Sequence, residues 1–458
     1  MNRGLICLIF ILIFGCSENS RIQSDNFLLT DYVNPFIGTG GHGHTYPGAT
    51  VPFGMMQLSP DTRLDGWDGC SGYHYSDSII YGFSHTHLSG TGVSDYGDLL
   101  LMPHCETQSP TLEYTLFHSH FDKNSEKASP GYYEVKLKDD NIKVALTTTL
   151  RCGMHKYTFA SGSTQQVMLD LQHRDQLLSA DFEIVDNKTI RGFRRSNTWA
   201  TDQHFYFYLQ FSRPFVKKSV LNSENFGNVN AQFTFDSDEQ ELLVKVGMSA
   251  VSMEGAQKNL EKEIPDWDFD KIQNNARNIW NKELSKVEIE GGTQDSKTIF
   301  YTALYHSFIV PNFFMDIDGQ FRGTDGKVHK TDSFDYYTIF SLWDTFRATH
   351  PLFTILQRKR TLNFINTFLK QYEYGGQLPV WELAGNYTGC MIGYHSVSVI
   401  ADAYAKGIRD FDLSYALEAM HHSASQDHLG LEYYKRNGFI ACDEEAESVS
   451  KTLEYAYD

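Results

Sequence analysis

Residues 133–146 read Tyr-Glu-Val-Lys-Leu-Lys-Asp-Asp-Asn-Ile-Lys-Val-Ala-Leu. Apolar side chains alternate at Tyr133, Val135 and Leu137, and again at Ile142, Val144 and Leu146. The turn-forming cluster Asp139, Asp140 and Asn141 separates the two runs. A period of two on either side of a turn predicts an antiparallel hairpin with one buried face. The same signal returns at Val167–Leu171, Phe205–Phe211 and Leu242–Met248, spaced by Gly, Asn, Asp and Ser clusters. Residues 30–252 are therefore expected to form a large antiparallel β-sandwich.

Beyond residue 252 the period lengthens. Ile272, Ala276, Ile279 and Trp280 fall at helical spacing and are closed by Gly291 and Gly292, so 253–293 reads as a linker helix. Helices are expected at Ile299–Phe308, at Leu352–Tyr372 with Leu362, Ile365, Leu369 and Tyr372 on one stripe, at Val397–Tyr404, and at Leu413–Met420 behind the cap Asp412. Such helices alternating with loops suggest a toroid of helical hairpins over 294–458. Val449, Leu453 and Ala456 keep helical spacing up to Asp458 with no terminating signal, so the chain is expected to stop inside a helix with the toroid incomplete. A natural frayed end is the alternative.

Toward the N-terminus, Arg3 precedes an apolar run, Leu5–Phe14, too short to span a bilayer and suited to a signal peptide over residues 1–15. Ile13, Phe14, Gly15 and Cys16 read as a lipobox, with Cys16 the lipidated residue and 16–29 a tether. The expected location is exported: periplasmic or cell-surface, held to a membrane through Cys16. An ordinary signal peptide with a chance cysteine is the alternative. The balance of 39 basic against 57 acidic residues gives a formal charge of −18, which argues against nucleic acid as a partner. The other cysteines outside the signal, Cys70, Cys105, Cys152, Cys390 and Cys442, show no zinc spacing and allow at most a disulfide or two.

Chemistry concentrates in two regions. The loop Gly38–Gly48 contains Gly41, His42 and His44, and its glycines allow close backbone approach to a ligand. The pairs His42/His44 and His85/His87 have the two-residue spacing that can chelate a metal, against the plainer role of hydrogen-bonding histidines. Trp67 sits in a turn of Asp65, Gly66, Asp68 and Gly69 that would hold its indole outward, as a sugar platform or an interface residue. Farther on, Asp344 and Arg347 are three apart and would share a helix face beside Trp343, either binding hydroxyls or tying two helices together. Glu382, next to Trp381, marks a second candidate rim or a simple helix-start charge. Read without further help, Asp344 and Glu382 could be the acid/base pair of a glycosidase.

Four stretches carry a resemblance: NPFIGTGGHGHTYPGATVPFGMMQLSPDT from Asn34, GFSHTHLSGTG from Gly82, SLWDTFRATHP from Ser341 and MIGYHSVSVIADAY from Met391. In order and together they resemble glycoside hydrolase family 92, from about residue 30 to Asp458. The resemblance implies a β-sandwich packed on an (α/α)6 barrel, here incomplete, with the active site where the two meet. It implies exo-acting, inverting, calcium-dependent hydrolysis of α-mannosides, often α-1,2-linked in N-glycans or mannan, so the expected partner is a mannose-containing oligosaccharide. It places substrate contacts at Trp67, Trp343, Asp344, Arg347, Glu382 and the glycine loop with Gly41 and His42. The family's catalytic acid and base motifs are not found, so those groups are expected beyond Asp458, and no Ca2+ ligand can be assigned. Two rivals stand beside this reading. One is a non-catalytic carbohydrate-binding surface lipoprotein, and the other a different (α/α)6 enzyme that uses Glu382 with Asp344.

Overall fold

The computed structural model describes residues 28–105, 117–223 and 225–458; the signal segment, Cys16 and nearly all of the tether lie outside them. The expected hairpin forms with Leu137 opposite Ile142, Val135 opposite Val144 and Tyr133 opposite Leu146. It belongs to an antiparallel eight-stranded sheet whose central strands are Gln203–Phe211, Glu241–Ser249 and Cys152–Thr158. A six-stranded sheet faces it, running Ser59–Asp61, Gly82–Ser84, Leu100–His104, Gln165–Asp170, Asn228–Phe235 and Phe215–Asn222. Val135, Val144, Val167, Leu169, Phe207 and Val246 from the two sheets are fully buried in one apolar cluster. This is the β-sandwich.

Ten helices follow: α1 (Met253–Glu263), α2 (Phe269–Leu284), α3 (Gln294–Ser307), α4 (Leu342–Thr345), α5 (Thr349–Leu356), α6 (Arg358–Gly375), α7 (Ser396–Ala405), α8 (Leu413–Ser425), α9 (Leu431–Asn437) and α10 (Ser448–Tyr457). Their starts carry side-chain caps where the sequence offers them: Ser252 to the Gly255 amide, Asp268 to Lys271, Thr293 to Ser296 and Asp412 to Tyr415. None of these helices is long and apolar enough to cross a membrane.

Three expectations are corrected. The linker is two helices, α1 and α2, because Asp268 caps a new start, and Ile279 is 46% exposed while Phe269, Ile272, Ala276 and Trp280 are buried. The helix expected over 352–372 is broken at Gln357 (φ −133°, ψ 41°), whose side chain meets Lys286 at 2.8 Å and Glu283 at 2.9 Å. Short strands at Asn312–Phe313, Gln320–Arg322, Val328–Lys330, Tyr337–Thr338, Phe340–Ser341, Trp381–Leu383 and Asn386–Tyr387 interrupt the helical half. Runs of two or three residues are too short to show a period. None of the five described cysteines is paired.

The two halves are joined by Val51–Gly54. The Phe53 amide donates to the Phe308 carbonyl (2.7 Å), the Phe53 carbonyl accepts from the Phe313 amide (2.8 Å), and Trp280 Nε1 donates to the Thr50 carbonyl (2.6 Å). The Phe53 ring enters the helical half among Phe308, Phe353 and Phe364, with centroids 5.6–6.2 Å away.

Inside the sandwich, Arg194 is fully buried and donates to the Asp98 carboxylate and to the carbonyls of Leu171, His173 and Arg174. Replacing it by methionine strands a buried Asp98 charge. Arg194→Met should lower stability by about 3–5 kcal/mol, read from the urea midpoint; a loss below about 1 kcal/mol would show that Asp98 does not depend on it.

Candidate functional site

The glycine loop is shaped by close approach. A β-carbon on Gly43 would lie 2.0 Å from the Gly38 carbonyl oxygen, and Gly41 sits at φ +59°. The Gly41 carbonyl accepts from His74 Nε2 at 3.0 Å. His42 stands exposed with Nδ1 2.8 Å from Asp68, whose carboxyl this hydrogen bond holds below its ordinary range. Trp67 is 63% exposed, edge-on to His44 with centroids 4.7 Å apart. It lies so close over Gly92 that a β-carbon there would come within 2.2 Å of the indole. Cys70 Sγ donates to the Thr91 carbonyl at 3.0 Å, tying the Trp67 turn to the same segment.

The His85/His87 pair does not chelate. His85 Nδ1 is 2.6 Å from the Leu99 carbonyl and its Nε2 is 3.0 Å from His155 Nε2, whereas His87 Nδ1 turns to the Gln57 carbonyl at 2.9 Å. Both rings are buried, and burial pushes His85 down to about 4. Buried polar neighbours spend these nitrogens on internal bonds. Among the described residues no group of three or more His, Cys, Asp or Glu side chains gathers as a metal site.

Between the halves lies a cavity of about 210 Å3. Thr45 and Ser89–Thr91 wall it from the sandwich side, and His306, Ile339–Ser341, Asp344 and His350 from the helical side. Thr45 and Thr91 neighbour His44 and Gly92, the two residues against which Trp67 rests, so Trp67 stands beside this cavity and Asp344 inside it. Asp344 accepts from the Ser341 hydroxyl and has no cationic partner among the described residues. Four buried atoms of the lining have no hydrogen-bond partner: Thr45 Oγ1, Thr91 Oγ1, His306 Nε2 and His350 Nδ1. Burial lowers His306 to about 4 and His350 to about 3, so both rings are neutral near pH 7. Unpaired buried polar atoms cost about 1–3 kcal/mol each, a cost that a ligand rich in donors and acceptors would remove. Thr45, Thr91 and His350 lie within the quoted stretches but were not assigned a role there, and His306 lies outside them; two threonines and two separated histidines leave no local pattern.

Other expected site residues go elsewhere. Trp343 lines a separate cavity of about 540 Å3 with Met391, Leu429 and Lys451, and its Nε1 is buried without a partner. Arg347 does not share a face with Asp344, because α4 ends at Thr345; its guanidinium lies over the Trp343 and Phe346 rings and pairs with Glu454 at 2.6 Å. Glu382 is neither a rim residue nor a helix-start charge. It lies on the strand Trp381–Leu383, 1% exposed, accepting from Thr338 Oγ1 (2.8 Å) and from the amides of Ile339 (3.1 Å) and Gly385 (2.7 Å). Burial outweighs those donors and raises its carboxyl to about 7. Glu382 does not line the cavity that holds Asp344, so the two do not converge as an acid/base pair.

With its folded pKa above the unfolded one, Glu382 contributes stability that is complete below the ordinary carboxylate range and is lost as pH rises through about 7. Glu382→Gln turns an amide N–H toward donors and should cost about 1–3 kcal/mol in urea unfolding at pH 5, with a smaller gap from the parent at pH 8. A gap that widens with pH would contradict this assignment.

Comparison with known proteins agrees with the two-part organisation. Residues 32–249 match the glycosyl hydrolase family 92 N-terminal domain and residues 255–458 match the family 92 catalytic domain, so the likeness is not confined to an N-terminal part. A family GH92 α-mannosidase from Bacteroides thetaiotaomicron is 37% identical with a TM-score of 0.89, over 94% of this chain and 62% of its own. A family GH92 inverting mannosidase from the same organism is 32% identical with a TM-score of 0.86, over 95% of this chain and 61% of its own. An "uncharacterized secreted glycosidase" of Arthroderma benhamiae is 27% identical over 93% of this chain and 58% of its own length. The chain thus spans about three fifths of the length of these relatives.

Proposed function

The chain belongs to glycosyl hydrolase family 92, and from that premise we propose that the cavity between its halves receives the terminal mannose of an α-mannoside cleaved by an exo-acting enzyme. The finer reading is an α-1,2 linkage, in N-glycan or mannan, cleaved with inversion. The observation that carries the proposal is the cavity itself, where the unpaired Asp344 carboxylate and four unpartnered polar atoms are supplied by both halves. Pockets for drug-sized ligands measure about 300–1,000 Å3, so about 210 Å3 suits a single sugar ring. Two of the similar structures are of mannosidases, and one α-mannosidase structure is in complex with mannoimidazole.

Within this reading Asp344 accepts from sugar hydroxyls. His306 and His350, being neutral, each offer a donor or an acceptor through the unpartnered nitrogen, and Trp67 offers an aromatic face beside the cavity. Inversion needs two carboxyl groups about 6.5–9.5 Å apart, and Asp344 is the one carboxylate among the described residues lining the cavity. No described residue is therefore assigned as acid or base. Calcium takes six to eight oxygen ligands, and one carboxylate with scattered hydroxyls does not fit it, so no step is routed through the ion. Export with a lipid anchor at Cys16 completes the reading; the secreted relative is consistent with export.

Transition-state mimics bind hydrolase sites more tightly than the sugar itself, whereas a lectin has no reason to prefer them. Mannoimidazole should bind the chain at least about tenfold more tightly than mannose, and Asp344→Asn should weaken both by about tenfold or more, as read by calorimetry. Equal affinity for the two ligands would favour the carbohydrate-binding lipoprotein. With calcium supplied, no mannose should be released from α-1,2-mannobiose; turnover would show that the carboxylates present suffice. In a bacterial host, labelled palmitate should mark the parent and not Cys16→Ser, and labelling of both would remove the lipobox.

A further inference from the structure

A second cavity, of about 560 Å3, lies on another part of the seam between the two halves and is unusual for its charge. Six cations line it: Arg151 from the sandwich, Lys282 and Lys286 from α2 and its end, and Arg358, Lys359 and Arg360 from the first turn of α6. Glu283 and Asp335 are the two carboxylates opposing them, which leaves the lining four charges positive in a chain whose formal charge is −18. Part of this charge is spent internally. Lys286 and Arg360 share Glu283 at 2.6 and 3.1 Å, Arg151 pairs with Glu263, and Asp335 accepts from Asn363. Arg358 reaches only carbonyls, those of Thr354 and Lys406. Lys282 and Lys359 have no carboxylate partner among the described residues. Like charges from three segments around one cavity repel, and an acidic chain has carboxylates to spare for neutralising them. The cations remain unneutralised where space for a ligand is also left.

We propose that this cavity is a binding site for a phosphate-like oxyanion, free or carried as a phosphomonoester, separate from the cavity that holds Asp344. Guanidinium and ammonium groups are the residues that grip such anions by charge-assisted hydrogen bonds. Lys282, Arg358 and Lys359 supply the uncommitted charge, and Arg360 and Arg151 form the inner wall, stacked on Phe53 and Phe313 with guanidinium-to-ring distances of 4.5 and 4.6 Å. The first turn of α6 adds to the field without being the basis of the assignment. Because Phe53 and Arg151 belong to the sandwich and α6 to the helical half, a bound anion bridges the two and should stabilise their union.

The test is calorimetry and thermal unfolding of the whole chain at fixed ionic strength, with inorganic phosphate, glycerol 2-phosphate and chloride. Both phosphates should bind with a Kd of about 1 mM or tighter and raise the melting temperature, and chloride should do neither. Tighter binding of glycerol 2-phosphate assigns the site to phosphomonoesters, and tighter binding of the inorganic ion to free phosphate. The exposed double variant Lys282→Glu/Lys359→Glu breaks no ion pair and should weaken phosphate by about tenfold or more. A control reversal of equal charge, Lys217→Glu/Lys218→Glu on the strand Phe215–Asn222, should leave it unchanged. Equal effects of phosphate and chloride, or equal losses in the two variants, would overturn the proposal.

Discussion

The structure depends on the insertion of Phe53 into the helical half. Its backbone carries a positive φ of 55°, an uncommon conformation for a side chain of this size. It is held there because both its amide and its carbonyl are bonded to the helical half, to Phe308 and Phe313. The ring is 1% exposed and surrounded by other aromatic rings, so burial of a phenylalanine, worth about 1.5–3 kcal/mol, holds the strained backbone in place. The glycine loop lies immediately upstream, where a β-carbon on Gly38 would come 3.7 Å from the His306 ring. Fixing Phe53 therefore sets the distance between the sandwich loops and the helix ends that together wall the Asp344 cavity.

That arrangement divides labour between the halves. The sandwich supplies the loop segments, Thr45 and Ser89–Thr91, and the helical half supplies Asp344 and the two histidines. The polar atoms left unpaired in the cavity would be a fault in a structural core, where such groups are almost always bonded. Gathered around a carboxylate bonded only to the Ser341 hydroxyl, they are groups that the proposed sugar could pair. The separate surroundings of Trp343 and Arg347 show how finely this is set by helix length: one further turn of α4 would have brought Arg347 back toward Asp344.

Much of the fold could be read from the sequence because its signals are local. The alternation at Tyr133–Leu137 and Ile142–Leu146 marked a hairpin that the sheet contains, and Asp412 and the Ile272–Trp280 stripe marked real helices. The break at Gln357 was not legible, because it arises from Glu283 and Lys286 more than seventy residues away. Asp344 and Trp67 were legible as residues, through their turn and motif contexts. That they share a site was expected from the family resemblance and not from their spacing, and Glu382 was misread because its charge suggested exposure while two of its three donors, Thr338 and Ile339, lie more than forty residues upstream. His306, His350, Thr45 and Thr91 gain meaning only from what they fail to bond.

The Phe53 insertion also limits how such a chain can change over evolutionary time. A sandwich that contributes one aromatic plug and two main-chain bonds to its companion cannot be traded for an unrelated module, since the recipient would need matching rings at Phe308, Phe353 and Phe364. New specificities should therefore arise by rewriting the loops around the plug, with the two architectures inherited together as one unit.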